Sequence, residues 1–307
     1  MALVKTQKQP EVLVYKRDSA RLEEETVFEK GFMDFFYGTV WGRLLTRLVL
    51  SGKLFSKIYG RIQKKSKSVK HIQAFISRYD INVDELEKPL ARYGSFNEFF
   101  IRKLKPEARP IDNNPGTLIS PADGRLLVYQ LKKDTILPVK GLDFTIGELL
   151  GDHERVEPWL DGVCLKIRLA PSDYHRFCYI DNGSHGPATH IAGRLHSVSP
   201  LALRHELKIL NGNDREYMVL DTENFGRVIH IDVGAMVVGK IHQQLRQGGS
   251  FSKGEEKGYF EFGGSTIILF FEPGKVRIDD DILDYSQKGI ETFAQYGSPV
   301  GRRTKEL

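Results

Sequence analysis

Pro106, Pro110, Pro115 and Pro121 crowd into one short stretch of the chain. Each lacks a backbone N–H and clashes with the preceding helical turn, so no helix runs through this segment. The residues that follow are patterned for strands. From Val163 to Leu169 the chain alternates, with Val163, Leu165, Ile167 and Leu169 facing one way and Cys164, Lys166 and Arg168 the other. Further short strands are expected near 216–220, 227–233, 235–241, 258–262 and 266–271, separated by glycines that suit turns and bulges. One helix is expected at 145–150, with Thr145 and Glu148 at capping-box spacing and Gly151 as its stop. Hydrophobic strands with frequent turns predict a sandwich or barrel-like core.

Before the prolines the texture is helical. Phe32, Phe35, Phe36, Val40, Leu44, Leu48 and Phe55 recur near helical spacing, although Gly31, Gly38 and Gly42 weaken any single long helix. A later helix is expected to start at Ser95, with Glu98 three residues on and then Phe99, Phe100 and Ile101. Residues 1–27 are polar and charged and read as an arm or frayed start. The division expected is therefore 1–105, an arm and basic amphipathic helical region, and 106–307, a β-rich domain.

Charge separates the same two parts. The net charge is only +5, but ten Lys and Arg residues lie between Phe35 and Tyr79 with no Asp or Glu among them. Such a block attracts an anionic partner, a nucleic acid or the acidic face of a bilayer, although a solvated helix face is the ordinary alternative. Tyr37 and Trp41 beside Arg43 and Arg47 suit a water–lipid interface, where rings sit at headgroup level; core packing of the same stripe is equally ordinary. No nucleic-acid-binding motif accompanies the charges. No apolar stretch reaches the ~18–20 residues a spanning helix needs. The start lacks a signal-peptide core, and Glu23, Glu24 and Glu25 argue against a transit peptide. Two cysteines, Cys164 and Cys178, imply no disulfide framework and suit a reducing compartment.

Four segments could carry chemistry: Ser120-Pro121-Ala122-Asp123-Gly124; Leu169 to Cys178, containing Asp173-Tyr174-His175-Arg176; Val233-Gly234-Ala235 with Val238-Gly239; and Phe262-Gly263-Gly264-Ser265-Thr266. By itself the last is an ordinary diglycine connector between strands. Chemically, no Cβ shields the Gly264 carbonyl from a neighbouring hydroxyl. Asp123 alone reads as a turn aspartate and His175 as a hydrogen-bonded structural histidine. No His, Cys, Asp or Glu spacing resembles a metal site, and there is no phosphate loop, dinucleotide fingerprint or G-x-S-x-G elbow.

Taken together and in order, these segments resemble the phosphatidylserine decarboxylase family. The similarity runs from about Tyr93 and includes Ser95 to Phe100 leading to Lys105-Pro106 and Arg109-Pro110-Ile111. It continues through Pro121 to Gly124, Asp173 to Arg176, and Gly193-Arg194-Leu195 with Ser197-Val198 and Pro200. Val233 to Gly239 and Gly264-Ser265-Thr266 complete it.

The resemblance implies an α+β fold, with N-terminal membrane-facing helices followed by a β-rich sandwich or barrel-like catalytic core. It implies a proenzyme that cuts itself between Gly264 and Ser265 and converts Ser265 to a covalently bound pyruvoyl group. Decarboxylation of an amino acid leaves an electron pair that no ordinary side chain absorbs; a ketone that forms an imine with the substrate amine can. The implied substrate is phosphatidylserine and the implied product phosphatidylethanolamine. The implied setting is peripheral, on the cytoplasmic face of a bacterial membrane with anionic lipid and no nucleic acid. The two fragments stay associated, and a homodimer is also admitted. The family pattern gives Asp123 the orienting carboxylate's role and His175 a role in decarboxylation.

The chain departs from that pattern at Cys178, where the family carries a second histidine that assists self-cleavage. A thiol of ordinary pKa ~8.5 is mostly neutral at pH 7 and a poorer base than imidazole. Another group could serve, and His185, His190 and His196 lie nearby in sequence. An uncut, non-catalytic lipid-binding relative is the alternative reading.

Overall fold

Strand Ser265–Phe271 is buried along its whole length and lies inside the sheet. Its Ile-Ile-Leu-Phe-Phe run is apolar toward both faces, as a strand covered on both sides requires. The computed structural model describes residues 13–25, 66–139, 142–151, 154–191, 215–234, 240–261 and 265–304. The helices expected between 28 and 65, most of the 235–241 strand, His196 and Gly264 lie outside the described residues.

Among the described residues one sheet has 11 strands. Ser265–Phe271 pairs antiparallel with Gly226–Val233 on one side and with Val163–Leu169 on the other. Beyond Gly226–Val233 come Arg215–Thr222, Gly183–His185 and Gly249–Phe251, with Thr189–Ile191 also on Arg215–Thr222. Beyond Val163–Leu169 come Gly124–Gln130, Glu291–Ala294, Leu13–Lys16 and Arg21–Glu24.

Alternation along these strands feeds two cores. Leu165, Ile167, Leu169, Ile267, Leu269 and Phe271 enter one. Two three-stranded sheets cover it, contributing Phe177 and Phe260 from one, and Leu118, Ile278 and Val300 from the other. Cys164, Ile229, Ile231, Ile268 and Phe270 enter the second, under the hairpin 136–145 and the helix Ile146–Leu150. The face of Val163–Leu169 carrying Lys166 and Arg168 is thus largely covered too. Lys166 Nζ donates to the Pro138 carbonyl at 2.9 Å, and Arg168 Nε to Glu291 at 3.0 Å.

Both expected helix starts form, with one difference. Thr145 and Glu148 make the full reciprocal box before Ile146–Leu150, and Gly151 stops it at φ +67°. At Phe96–Phe100 only half forms: Ser95 Oγ accepts from Glu98 N at 3.2 Å, while the Glu98 carboxylate turns to Gly94 N and Lys88. This helix and Lys70–Tyr79 share a third cluster built on Phe75, Tyr93, Phe96, Phe99 and Phe100.

The first described segment differs from expectation. Residues 13–24, read as an arm or frayed start, form a hairpin whose first strand runs parallel to Glu291–Ala294. Val14 is buried, Tyr15 stacks on Tyr285 at 4.0 Å, and Arg17 reaches Asp279 at 2.8 Å and Asp281 at 2.7 Å. These partners lie far along the chain, so local pattern did not reveal them.

Candidate functional site

The pairing register gathers the chemistry-bearing segments at one end of the sheet. Ser265 is opposite Leu169, and Arg168 is opposite Arg125. The beginning of Ser265–Phe271, the end of Val163–Leu169 and the beginning of Gly124–Gln130 therefore lie side by side. Asp123 immediately precedes that last strand. Gly124 is needed there: a Cβ would sit 2.6 Å from Ile167 Cγ2 and 3.0 Å from the Arg168 carbonyl.

The loop after Leu169 brings in His175. Asp173 N donates to the Ala170 carbonyl at 3.0 Å, closing a turn after Pro171. His175 Nε2 lies 3.1 Å from the same carbonyl. A carbonyl only accepts, so Nε2 carries the hydrogen and Nδ1 is the basic nitrogen of the neutral ring. The ring is fully buried and stacks on Phe100 at 4.0 Å. The helix begun at Ser95 thus holds the imidazole beside the residue that pairs with Ser265.

Asp123 is 2% exposed and fully engaged. Oδ1 accepts from Arg109 Nε at 2.9 Å and from Tyr296 N at 2.8 Å, and Oδ2 from Arg109 Nη2 at 2.8 Å. Burial disfavours the Arg109 guanidinium, but Asp123 and Glu85 outweigh it and hold Arg109 firmly charged.

Cys178 is close by, since its N–H donates to the Pro121 carbonyl at 2.9 Å. Burial pushes its thiol up to about 12, against a smaller opposing hydrogen bond with Tyr296. At neutral pH the thiol is then protonated. His185 is three strands from Ser265, between the Tyr179 hydroxyl at 2.8 Å and the Gly186 carbonyl at 2.6 Å. His190 is exposed on an edge strand, opposite Glu216. Neither described histidine reaches the site.

Ser265 is 1% exposed, and its Oγ has no hydrogen-bond partner among the described residues. An unsatisfied buried hydroxyl costs about 1–3 kcal/mol. Such groups in folded proteins call for an explanation, and a catalytic role is one.

On the Ser265 face lies a charged group that sequence reasoning missed. Asp232 is opposite Ile267, and His230 is opposite Leu269. Asp232, His230 and Lys257 are all fully buried. Lys257 Nζ donates to Asp232 Oδ2 at 2.6 Å and to Gln243 Oε1 at 2.9 Å, and His230 Nε2 to Asp232 Oδ1 at 2.9 Å. Lys257 projects from a register shift between Glu256 and Gly258. Burial works against its ammonium, but Asp232 supports it; Lys257 and His230 together hold Asp232 charged against the same burial. The available signal was that Val228, His230 and Asp232 share a strand face while Ile229, Ile231 and Val233 take the other.

Burial, followed by the neighbouring Lys257 charge, lowers His230 from 6.5 to about 4. The unfolded chain therefore binds a proton between those values that the folded chain refuses. The resulting stability, about 3 kcal/mol, is present above pH 6.5 and is lost as pH falls toward 4. Urea unfolding midpoints are expected to drop across this window and to drop less in His230→Gln. Parallel curves for the two proteins would refute the assignment.

Among the described residues no group of His, Cys, Asp and Glu could hold a metal ion, and no helix is long and apolar enough to cross a membrane.

Comparison with known proteins matches residues 96–301 to the family model described as phosphatidylserine decarboxylase. A phosphatidylserine decarboxylase proenzyme of Clostridium botulinum (strain Alaska E43 / Type E3) is 41% identical over 293 residues, covering 95% of this chain and 99% of that protein. Phosphatidylserine decarboxylase proenzyme 2 of Clostridium acetobutylicum is 42% identical over 290 residues, covering 94% and 98%. The proenzyme of Clostridium novyi (strain NT) is 41% identical over 293 residues, covering 95% and 99%.

Proposed function

Because this chain belongs to the phosphatidylserine decarboxylase family, we propose that it cuts itself before Ser265 and then decarboxylates the serine headgroup of phosphatidylserine to give phosphatidylethanolamine. The observation that carries this reading is the buried, unpartnered Ser265 hydroxyl at the sheet end shared with Asp123 and His175.

In the first stage Ser265 Oγ adds to the Gly264 carbonyl carbon and the Gly264–Ser265 amide bond breaks, leaving an ester. Loss of the Ser265 α-proton expels the Gly264 carboxylate and leaves a dehydroalanine. Water then converts this to a ketone, and ammonia leaves. The products are residues 1–264 and 265–307. The ketone, a pyruvoyl group, supplies the electron sink that the side chains lack. The site suits it: residue 265 is enclosed, so bulk solvent is held back while the single water that ketone formation consumes is admitted.

The chain's own residues do the rest. The second fragment stays in place because Ser265–Phe271 is hydrogen-bonded on both sides to strands of the first. Its strand Glu291–Ala294 is held likewise between Gly124–Gln130 and Leu13–Lys16. His175, oriented by the Ala170 carbonyl and Phe100, exchanges a proton at Nδ1. Asp123 ties the start of Gly124–Gln130 to Arg109 and to Tyr296 N, which belongs to the second fragment. The basic block between Phe35 and Tyr79 supplies the positive charge that meets anionic lipid headgroups. Residues 106–307 form most of the catalytic part, completed by the hairpin 13–24 and the helix Phe96–Phe100, on the cytoplasmic face.

Intact mass tests the reading. Expected are two fragments, the smaller one gaining the mass of reduction after borohydride; a single chain with an unmodified Ser265 alongside full decarboxylase activity contradicts it. A neutral Cys178 makes cutting slow in this chain. Cys178→His is expected to speed it by about 10²-fold or more, the range of general-base assistance. Tight packing around position 178 sets a stability cost of about 1–3 kcal/mol. An unchanged cutting rate removes this position from the proton path.

A further inference from the structure

A cavity of about 420 Å³ opens between the hairpin at 13–24, the end of the helix Lys70–Tyr79 and the sheet end that carries Asp123. Arg102, Arg109 and Arg125 line its wall, with Asp123, Asp173 and Tyr174. Two of these cations are neutralised. Arg109 pairs with Asp123 and Glu85, and Arg125 with Asp173 and Glu25.

Arg102 is different. It is 5% exposed, yet its guanidinium meets only the Phe99 ring, 5.3 Å from its centroid, and carbonyls: Phe100 O at 3.5 Å, Ser172 O at 3.1 Å and Asp173 O at 3.3 Å. Its buried Nε has no hydrogen-bond partner, and no carboxylate lies within ion-pairing distance among the described residues. Asp123 and Asp173 act on it only at longer range, and burial disfavours its charge. Arginine keeps its proton regardless. A buried cation without a counter-ion costs several kcal/mol, which an anion entering from the cavity offsets.

We infer that the cavity is an oxyanion site in which Arg102 receives the carboxylate or phosphodiester of the serine headgroup. This rests on the decarboxylase reading above. The position fits: the Ser172 and Asp173 carbonyls that hold Arg102 belong to the loop that returns to Ala170, beside the partner of Ser265. Asp123 and Asp173 are taken up by Arg109 and Arg125, but the rim adds acidic residues such as Glu24. A wall with both signs suits a zwitterion better than a simple anion. Planar guanidinium geometry matches carboxylate and phosphate alike.

The test uses the processed full-length protein, with the extent of cutting read by mass. Decarboxylation is followed against the surface concentration of phosphatidylserine, and calorimetry follows binding of soluble glycerophosphoserine and of inorganic phosphate. Arg102→Gln is expected to raise KM by about 10–100-fold, the effect of losing a charged hydrogen bond, with kcat falling less. Arg102→Lys is expected between, keeping the charge but not the fork. Glycerophosphoserine binding is expected to weaken in parallel, also in uncut Ser265→Ala carrying Arg102→Gln, where no chemistry is needed. If Arg102→Gln does not fold, Glu24→Trp, which narrows the cavity from an exposed strand, is expected to weaken glycerophosphoserine binding. A fall in kcat at unchanged KM makes Arg102 a structural staple and overturns the proposal. So does glycerophosphoserine binding that neither Arg102→Gln nor Glu24→Trp alters. Inorganic phosphate binding as tightly as glycerophosphoserine overturns the headgroup assignment. A wild-type chain without a ketone at residue 265 overturns the decarboxylase reading instead, and the calorimetry still decides on the cavity.

Discussion

Ser265→Ala is expected to yield one uncut chain of full length, with no ketone and no release of carbon dioxide. Without the ketone no route to the electron sink remains, so the loss should reach the detection limit. Stability is expected to move the other way. The Ser265 hydroxyl is buried with no partner among the described residues, and deleting it relieves a penalty of about 1–3 kcal/mol. Urea unfolding of Ser265→Ala against an uncut reference, such as freshly made wild-type chain before processing, reads this directly. A variant less stable than that reference by 1 kcal/mol or more would show that the hydroxyl is satisfied within the folded proenzyme. That outcome would remove the structural argument for a poised nucleophile. Residual cutting before residue 265 in this variant would exclude Ser265 as the attacking group.

Lys257→Met is expected to destabilise the chain by about 3–5 kcal/mol, the cost of leaving a buried charge without its partner. Lys257 and Asp232 are both fully buried and meet at 2.6 Å, while His230 and Gln243 offer Asp232 only neutral donors. Adding Asp232→Asn to Lys257→Met removes the orphaned charge. The double variant is expected to recover most of the loss, since a buried pair replaced as a unit is often near neutral. The cycle, run in the uncut Ser265→Ala background so that one chain unfolds, should give a coupling energy of several times the ~0.5 kcal/mol seen for independent sites. Additive effects would mean that the two charges do not sense one another. Because Asp232 shares a face with Ser265 two positions along the ladder, the single variant should also slow cutting.

Much of the local structure follows from short-range pattern. Val163–Leu169 forms over the span that its alternation predicts. Thr145, Glu148 and Gly151 bound a helix through contacts that span four residues or fewer. The order of the Asp123, His175 and Ser265 segments, read as a family resemblance, carried the candidate chemistry. These features were accessible because their determinants are neighbours in sequence: a strand's period, a cap, or a short motif with its own spacing.

Tertiary structure decided the rest. Nothing near Val14 announces that it will lie beside Glu291, nor that Arg17 will meet Asp279 and Asp281. A parallel pairing between the start of the chain and its end depends on the whole sheet forming between them. Lys257 gives the same lesson: an isolated lysine in sequence reads as solvated, and only the folded chain sets Asp232 beside it, where mutual compensation makes two buried charges tolerable. Arg102 was equally silent, since the absence of a carboxylate is a property of its surroundings. By itself the sequence determined which residues can form strands, caps and a nucleophile. The tertiary structure decided which charges are satisfied and which one faces a cavity, because compensation in a low-dielectric interior depends on distances that chain order does not contain.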